Sequence, residues 1–454
     1  MNNTLKNIML TAAVLSLTAS AYASGGDPRS LLLELGNPAK SEELKTLVLT
    51  DSEAANALLA EALNAGNGPG YRCAAIEALG ASADKNVTSG LAKTLNDPSP
   101  EVQACAIRAA GEGKNKAAVD ALLSNVESYL ASARSKGPYE DNLKARLKAI
   151  DSIWALGEIG SPQVMARLEK FYAASDDVIR MNLVVSMGKL EPNPHAAPYI
   201  RGVAASAGAA GFVRAAAFEM LEELGQNIPA AGLVPSAAAG IESGDIIYTG
   251  GRLGTIGSWL STDLPIGHAG IFAGTEVKNG RVFVLIADCV PNNFIPPGVR
   301  NINSWKNFTH HFKYPYYGNR TSRIRPSREQ RQAIVKLARE MGTKGLRYSD
   351  SHFSQKGPEE FDCVGYTEYL YEKAGLNPTD NSYETGLGWP LTPWEQFEAT
   401  DVNAAPVIPY FTSSKTAAGA YTPRPAFGTL EKGLFGVSGE QIEINMDITP
   451  ERAD

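Results

Sequence analysis

Between residues 28 and 230 the chain repeats itself, and a short helical repeat can bury its apolar face only by stacking on its neighbours. The segment Arg72-Cys73-Ala74-Ala75-Ile76-Glu77-Ala78-Leu79-Gly80 is followed by Val102-Gln103-Ala104-Cys105-Ala106-Ile107-Arg108-Ala109-Ala110-Gly111. Further copies close at Leu156-Gly157, Met187-Gly188 and Leu224-Gly225. The closing glycines lie 31, 46, 31 and 37 residues apart, and the longest interval holds an insertion that includes Gly137-Pro138-Tyr139. That period is the one expected of a helical solenoid. Small residues in each helix let the next helix approach closely, and a terminal glycine suits the left-handed position just past a helix end. Asp97-Pro98-Ser99-Pro100 supplies the turn before the second copy.

These alanine-rich helices ending in Leu-Gly resemble HEAT repeats of the short, bacterial kind. The resemblance implies an all-α solenoid whose concave face binds another protein chain. A packed helical spacer without a partner is the alternative. Cys73 and Cys105 stand at near-equivalent points of adjacent repeats; they read as small buried hydrophobes, with a disulfide between them as the alternative. Residues 231–240, rich in small residues and Pro235 and preceded by Ile228-Pro229, read as a linker.

The whole chain of 454 residues is long enough for two to four domains, and 44% hydrophobic with 20% charged residues is an ordinary globular mixture. Lys plus Arg number 42 against 49 Asp plus Glu, and no basic block stands out, which argues against a nucleic-acid partner. At the start, Lys6 precedes the apolar stretch Ile8 to Ala19, and Ala21-Tyr22-Ala23 supplies small residues for cleavage. Residues 1–23 therefore read as a secretory signal peptide rather than a transmembrane anchor, with the mature protein periplasmic or secreted.

From residue 241 the pattern changes. Gly244-Asp245-Ile246-Ile247-Tyr248 and Ala269-Gly270-Ile271-Phe272-Ala273 read as short strands, and Asn279-Gly280 as a tight hairpin leading into Phe283-Val284-Leu285-Ile286. Ile334, Leu337, Ala338 and Met341 fall at helical spacing, and a last helix begins at Cys363. Strands followed by helices indicate an α+β domain over 241–378. His268 enters a strand and Cys363 opens a helix. A thiol at a helix N-terminus faces the positive end of the dipole, which favours thiolate, and a histidine facing it can take its proton.

Gly244-Asp245-Ile246-Ile247, Gly267-His268-Ala269-Gly270-Ile271 and Phe361-Asp362-Cys363-Val364-Gly365-Tyr366 together resemble the NlpC-type cysteine peptidases of the papain-like superfamily. His268 precedes Cys363 by 95 residues, the circularly permuted order of the YiiX-like and lecithin:retinol acyltransferase-like branches. The chain thus reads as multidomain, an all-α HEAT-like solenoid followed by an α+β permuted papain-like domain. The resemblance implies Cys363 as nucleophile, His268 as general base, Asp288 as the residue that orients the histidine, and Tyr348 near the oxyanion with the Cys363 backbone N–H. For Asp288 a turn or cap role is the alternative, and for Tyr348 a packing role. His310-His311, His352 and Cys289 show no metal-ligand spacing, so neither metal nor cofactor is expected. Pairing of Cys289 with Cys363 would silence the site.

The implied substrate is a peptidoglycan stem peptide or another acyl substrate. Residues 379–454, rich in Gly, Pro and aromatics and closing with the alternating Ile442-Glu443-Ile444-Asn445-Met446-Asp447-Ile448, read as an extension packing on the catalytic domain. Two competing readings use the same residues differently: a lipid or acyl-ester hydrolase or acyltransferase with the same Cys-His pair, and a non-catalytic scaffold in which only the repeats act.

Overall fold

The computed structural model describes residues 38–133, 139–190, 192–226, 240–250, 266–322, 325–349, 356–379 and 392–399. The signal peptide, residues 231–239 of the linker and the alternating C-terminal segment lie outside the described residues. Those described form two compact units, one ending at Ala118 and one beginning at Val119.

The first unit holds helices α1 (Pro38–Thr50), α2 (Ser52–Leu63), α3 (Pro69–Leu79), α4 (Lys85–Thr94) and α5 (Pro100–Glu112). Their starts are set by residues that accept orphan backbone N–H groups. Asp51 accepts from Glu53 and Ala54 to start α2, Asp84 from Asn86 and Val87 to start α4, and Ser99 from Val102 to start α5. Arg72 ties successive elements by donating through Nε to the Ala62 carbonyl (2.8 Å) and through Nη1 to Asp97 (3.1 Å). Cys73 of α3 and Cys105 of α5 are joined by a disulfide. The two are indeed buried, but as a covalent cross-link between repeats rather than as packing groups.

The second unit continues the helices with α6 (Val119–Ser132), α7 (Tyr139–Ile159), α8 (Met165–Ala174), α9 (Asp177–Gly188), α10 (Ala196–Ala205) and α11 (Gly211–Glu223). A sheet follows from β1 (Ile246–Thr249), β2 (His268–Lys278), β3 (Arg281–Val290) and β4 (Gly298–Ile302), then the short helix α12 (Trp305–Phe308) and β5 (Tyr316–Arg320). The chain goes on through α13 (Arg328–Met341), β6 (Arg347–Tyr348), β7 (Glu360–Phe361), α14 (Cys363–Lys373) and α15 (Pro393–Ala399). The five strands are ordered β4-β3-β2-β1-β5 and antiparallel throughout. Asn279 and Gly280, both at positive φ, make the β2–β3 hairpin that their identity requires. A capping box from Ser327 and Gln330 starts α13, which buries Ile334, Ala338 and Met341.

The closing glycines do not serve as left-handed helix ends, with the exception of Gly225 (φ +62°). Gly157 and Gly188 are points of close approach instead. A Cβ on Gly157 would lie 2.8 Å from the Ser186 Cα, and one on Gly188 would lie 2.3 Å from the Met220 side chain. Gly157 and Gly188 thus mark where a helix meets its counterpart in the next repeat, which accounts for their position better than the turn argument does.

In the second unit the helices and the sheet share a core. Asn182 of α9 donates through Nδ2 to the Tyr316 carbonyl (2.7 Å) and accepts the Tyr316 N–H (3.0 Å). A helix side chain thereby satisfies the open edge of β5, which would otherwise present unpaired backbone groups. Glu219 of α11 accepts from Ser304 Oγ (2.8 Å), the Trp305 N–H (2.9 Å) and the Lys306 N–H (2.7 Å), and so caps α12. The Trp305 ring is wholly buried against Phe212, Phe308 and Tyr316, its Nε1 donating to the Phe212 carbonyl. The passage from helical to strand pattern along the sequence is therefore a change of secondary structure within one packed unit. Farther on, the fully buried Gln396 of α15 donates to Glu368 (2.7 Å) and Thr367 (2.9 Å) of α14, docking that helix on the unit.

Burial pushes the Glu219 carboxyl up to about 7, against the pull of its hydrogen bonds from Lys306, Trp305 and Ser304. The folded state then keeps this proton to higher pH than the unfolded chain, whose value is 4.5. The site's contribution to stability is full below the lower value and is lost as pH rises toward the higher one. Urea unfolding between pH 4 and 8 is expected to show a component of this sign that disappears in Glu219→Gln. Glu219→Ala, which leaves buried N–H groups without an acceptor, is expected to lower the unfolding free energy by about 2–4 kcal/mol at either pH.

Candidate functional site

The site is built from strands β2, β3 and β4 and the start of α14. His268 is the first residue of β2, Asp288 stands near the end of β3, and the register pairs Gly270 with Asp288 and Asp288 with Arg300 of β4. The His268 Nε2 lies 3.1 Å from Asp288 Oδ2. Arg300 grips the same carboxylate with Nε to Oδ1 at 2.8 Å and Nη2 to Oδ2 at 3.1 Å. Asp288 is 0% exposed, and His268 and Arg300 are each 4% exposed. Burial works to raise the Asp288 carboxyl, but the hydrogen bonds from His268 and Arg300 outweigh it and hold the group below its ordinary range. Against an ionised Asp288 the Nε2 position is the donor, which leaves Nδ1 as the basic nitrogen of the ring.

Cys363 is the first residue of α14, after the N-cap Asp362, whose side chain accepts the Gly365 N–H at 2.7 Å. The Cys363 thiol receives the backbone N–H groups of Ala269 and Val364. Ala269 directly follows His268, so the sulfur sits one residue along β2 from the imidazole-bearing position. Burial pushes the thiol up, the Asp362 carboxylate adds to this, and the two N–H groups oppose it without prevailing. This corrects the expectation from the helix dipole. In this conformation the thiol keeps its proton, because a buried sulfur beside a carboxylate gains less from the helix end than it loses in solvation.

Cys289 and Cys363 are both free thiols. Cys289 is fully buried, and its sulfur donates to the Phe361 carbonyl at 3.1 Å. Tyr348 lies on β6, which pairs in parallel with β7 so that Tyr348 stands opposite Phe361, two residues before Cys363. The backbone of Tyr348 is thus brought beside the segment that carries Cys363, and its side chain is half-buried. Among the described residues, no group of three or more His, Cys, Asp and Glu side chains could hold a metal ion, and His352 lies outside them.

Two members of the neighbourhood escaped the sequence reading. Arg300 could have been sought as the cation that a buried strand carboxylate demands, but the strand that carries it was not foreseen. His310 was weighed only as a metal ligand, and set aside for want of ligand spacing. Its ring lies 5.8 Å from that of His268, 4.5 Å from Phe294 and 5.4 Å from Tyr314, measured between centroids.

Residues 55–134 match the family model for HEAT repeats. Comparison with curated proteins finds no match. Among the described residues no helix is long and apolar enough to cross a membrane. The chain therefore carries a helical repeat region, followed by a mixed region of helices and antiparallel sheet.

Arg300→Met would leave the Asp288 charge buried without its bidentate partner. Its unfolding free energy at pH 7 is expected to fall by roughly 3–5 kcal/mol. The deficit should shrink on acidification, because protonating Asp288 removes the orphaned charge. Denaturant titrations of both proteins at pH 7 and pH 3.5 check the magnitude and the sign.

Proposed function

We propose that this chain is an exported cysteine hydrolase of the permuted papain-like type, acting on an amide of the peptidoglycan stem peptide. One observation carries the reading: a buried histidine–aspartate–arginine relay ends one residue from the backbone N–H that contacts the Cys363 thiol. The motif order of His268 before Cys363 supports the permuted type, and the antiparallel sheet followed by the α14 helix is compatible with it. The Cys73–Cys105 disulfide supports the exported part of the proposal, since such bonds persist in oxidising compartments.

In this mechanism the Cys363 sulfur attacks the scissile carbonyl carbon while its proton passes to Nδ1 of His268. A protonated thiol in the resting site fits this order, because the base is called on only when substrate is present. The oxygen of the tetrahedral intermediate is held by the backbone N–H of Cys363, with Tyr348 as the second donor. Collapse breaks the carbon–nitrogen bond, the imidazolium returns the proton to the leaving amine, and a thioester remains. Water, deprotonated by His268, then attacks the thioester and releases the carboxylic acid and the thiol. Asp288, itself fixed by Arg300, keeps the ring oriented and stabilises its charged form.

The HEAT-repeat match favours a second reading in part, a scaffold in which the repeats hold a protein partner. The test is digestion of purified peptidoglycan by the mature protein beside Cys363→Ala and His268→Ala, with products read by mass spectrometry. Stem-peptide fragments from the native protein alone are expected. Release of fatty acid from phospholipid vesicles, with no muropeptide released, would move the proposal to the acyl-ester class. Full biological function in Cys363→Ala would move it to the scaffold.

A further inference from the structure

The turn after α12 is built at odds with ordinary backbone preference. His310, His311 and Phe312 are three consecutive non-glycine residues with φ of +52°, +61° and +56°, a left-handed run that L-residues disfavour at every step. Surrounding bonds hold it in place. The His311 N–H donates to the Lys306 carbonyl (2.6 Å) and the Tyr314 N–H to the Thr309 carbonyl (3.2 Å). From the helices, Trp154 Nε1 donates to the Lys313 carbonyl (2.8 Å) and Lys189 Nζ to the Phe312 carbonyl (2.5 Å). Phe312 itself is buried, and a small cavity beside it is lined by Trp154, Met181, Asn182 and Lys189. Strain sustained by this many neighbours points to a side chain that must stand at one place.

That side chain is His310. Its Nε2 is buried and has no hydrogen-bond partner among the described residues, although its ring packs against His268, Phe294 and Tyr314. A buried polar atom left without a partner is rare and calls for an explanation. Phe294, whose ring lies nearest to that of His310, stands on a loop whose residues 292, 293 and 295–297 are exposed. One of the rings packed on His310 thus comes from a surface loop rather than from the core. The titratable and charged groups around His310 are His268, Asp288, Arg300, Lys313 and Tyr314, and burial followed by His268 pushes the ring down to about 3. It is a neutral imidazole, with one nitrogen free to accept.

We propose that His310 is a specificity-determining residue of the same site, its Nε2 accepting a hydrogen bond from a substrate N–H beside the carbon that Cys363 attacks. The inference rests on the hydrolase reading above and narrows it, because an acceptor at this place rewards an amide and gives nothing to an ester. Phe294 moves off the ring as the substrate enters.

The test uses two small electrophiles of similar size, iodoacetamide and methyl iodoacetate, of which only the first carries an N–H. Second-order rates at Cys363 in the native protein are read by peptide mass spectrometry and divided by the rates of glutathione with the same reagents. The native protein is expected to prefer iodoacetamide by about fivefold or more over that reference. His310→Phe keeps a ring between Phe294 and Tyr314 but no nitrogen, and its preference is expected to fall to the glutathione value. His310→Asn tolerates the left-handed backbone and retains an acceptor, and is expected to keep part of the preference. A purely structural role for His310 would change both rates together and leave their ratio alone. An unaltered ratio in His310→Phe, or no preference in the native protein, overturns the proposal while the hydrolase reading stands. A native Cys363 that reacts with neither reagent until the protein is denatured overturns both.

Discussion

A carboxylate shut away from water has to be neutralised where it stands, and Asp288 imposes that condition at the centre of the second unit. Its two partners come from the strands on either side, His268 from β2 and Arg300 from β4. One charge thereby ties together two strand registers, since a slip of a single residue in either would turn the partner to the opposite face. The same bonds fix the orientation of the imidazole and set the following N–H against the Cys363 sulfur. Stability and chemistry draw on one set of contacts, so the site cannot loosen without the sheet loosening too.

Helix side chains complete the sheet in ways usually left to backbone. Asn182 offers Tyr316 the donor and acceptor pair that a sixth strand would offer, and Glu219 does for α12 what an N-cap residue does from within its own helix. Both are buried polar residues whose partners lie on a distant part of the chain. The helices after Val119 thus supply groups that the strands need in order to be satisfied, and the turn bearing His310 leans on the same helices through Trp154 and Lys189.

Local chemistry was legible in the sequence and long-range pairing was not. Asn279-Gly280 announced a hairpin because only such residues take positive φ at both positions at little cost, and the periodic apolar residues of α13 announced its buried face. The helix-end reason for the closing glycines holds at Gly225 but not at Gly157 and Gly188, where close approach depends on a partner one repeat away. His268 and Asp288 could be named from strand motifs, whereas Arg300 could not, since the β3–β4 register that sets it across from Asp288 has no local mark. Asn182 and Glu219 look like solvated helix residues until the strand and the helix they satisfy are in place. The protonated state of Cys363 was missed for a related reason, as a helix start is visible in a sequence while the depth at which it is buried is not.

The cross-link between α3 and α5 has a consequence for how the first unit comes apart. In a linear stack each repeat is held by its neighbours alone, so order is lost from the open end inward, one repeat at a time. The bond from Cys73 to Cys105 spans 32 residues and encloses α4. Fraying can strip α1 and α2 in turn, but at α3 it meets helices that must melt as a block, and the stack acquires a cooperative step at a place chosen by covalent chemistry rather than by packing.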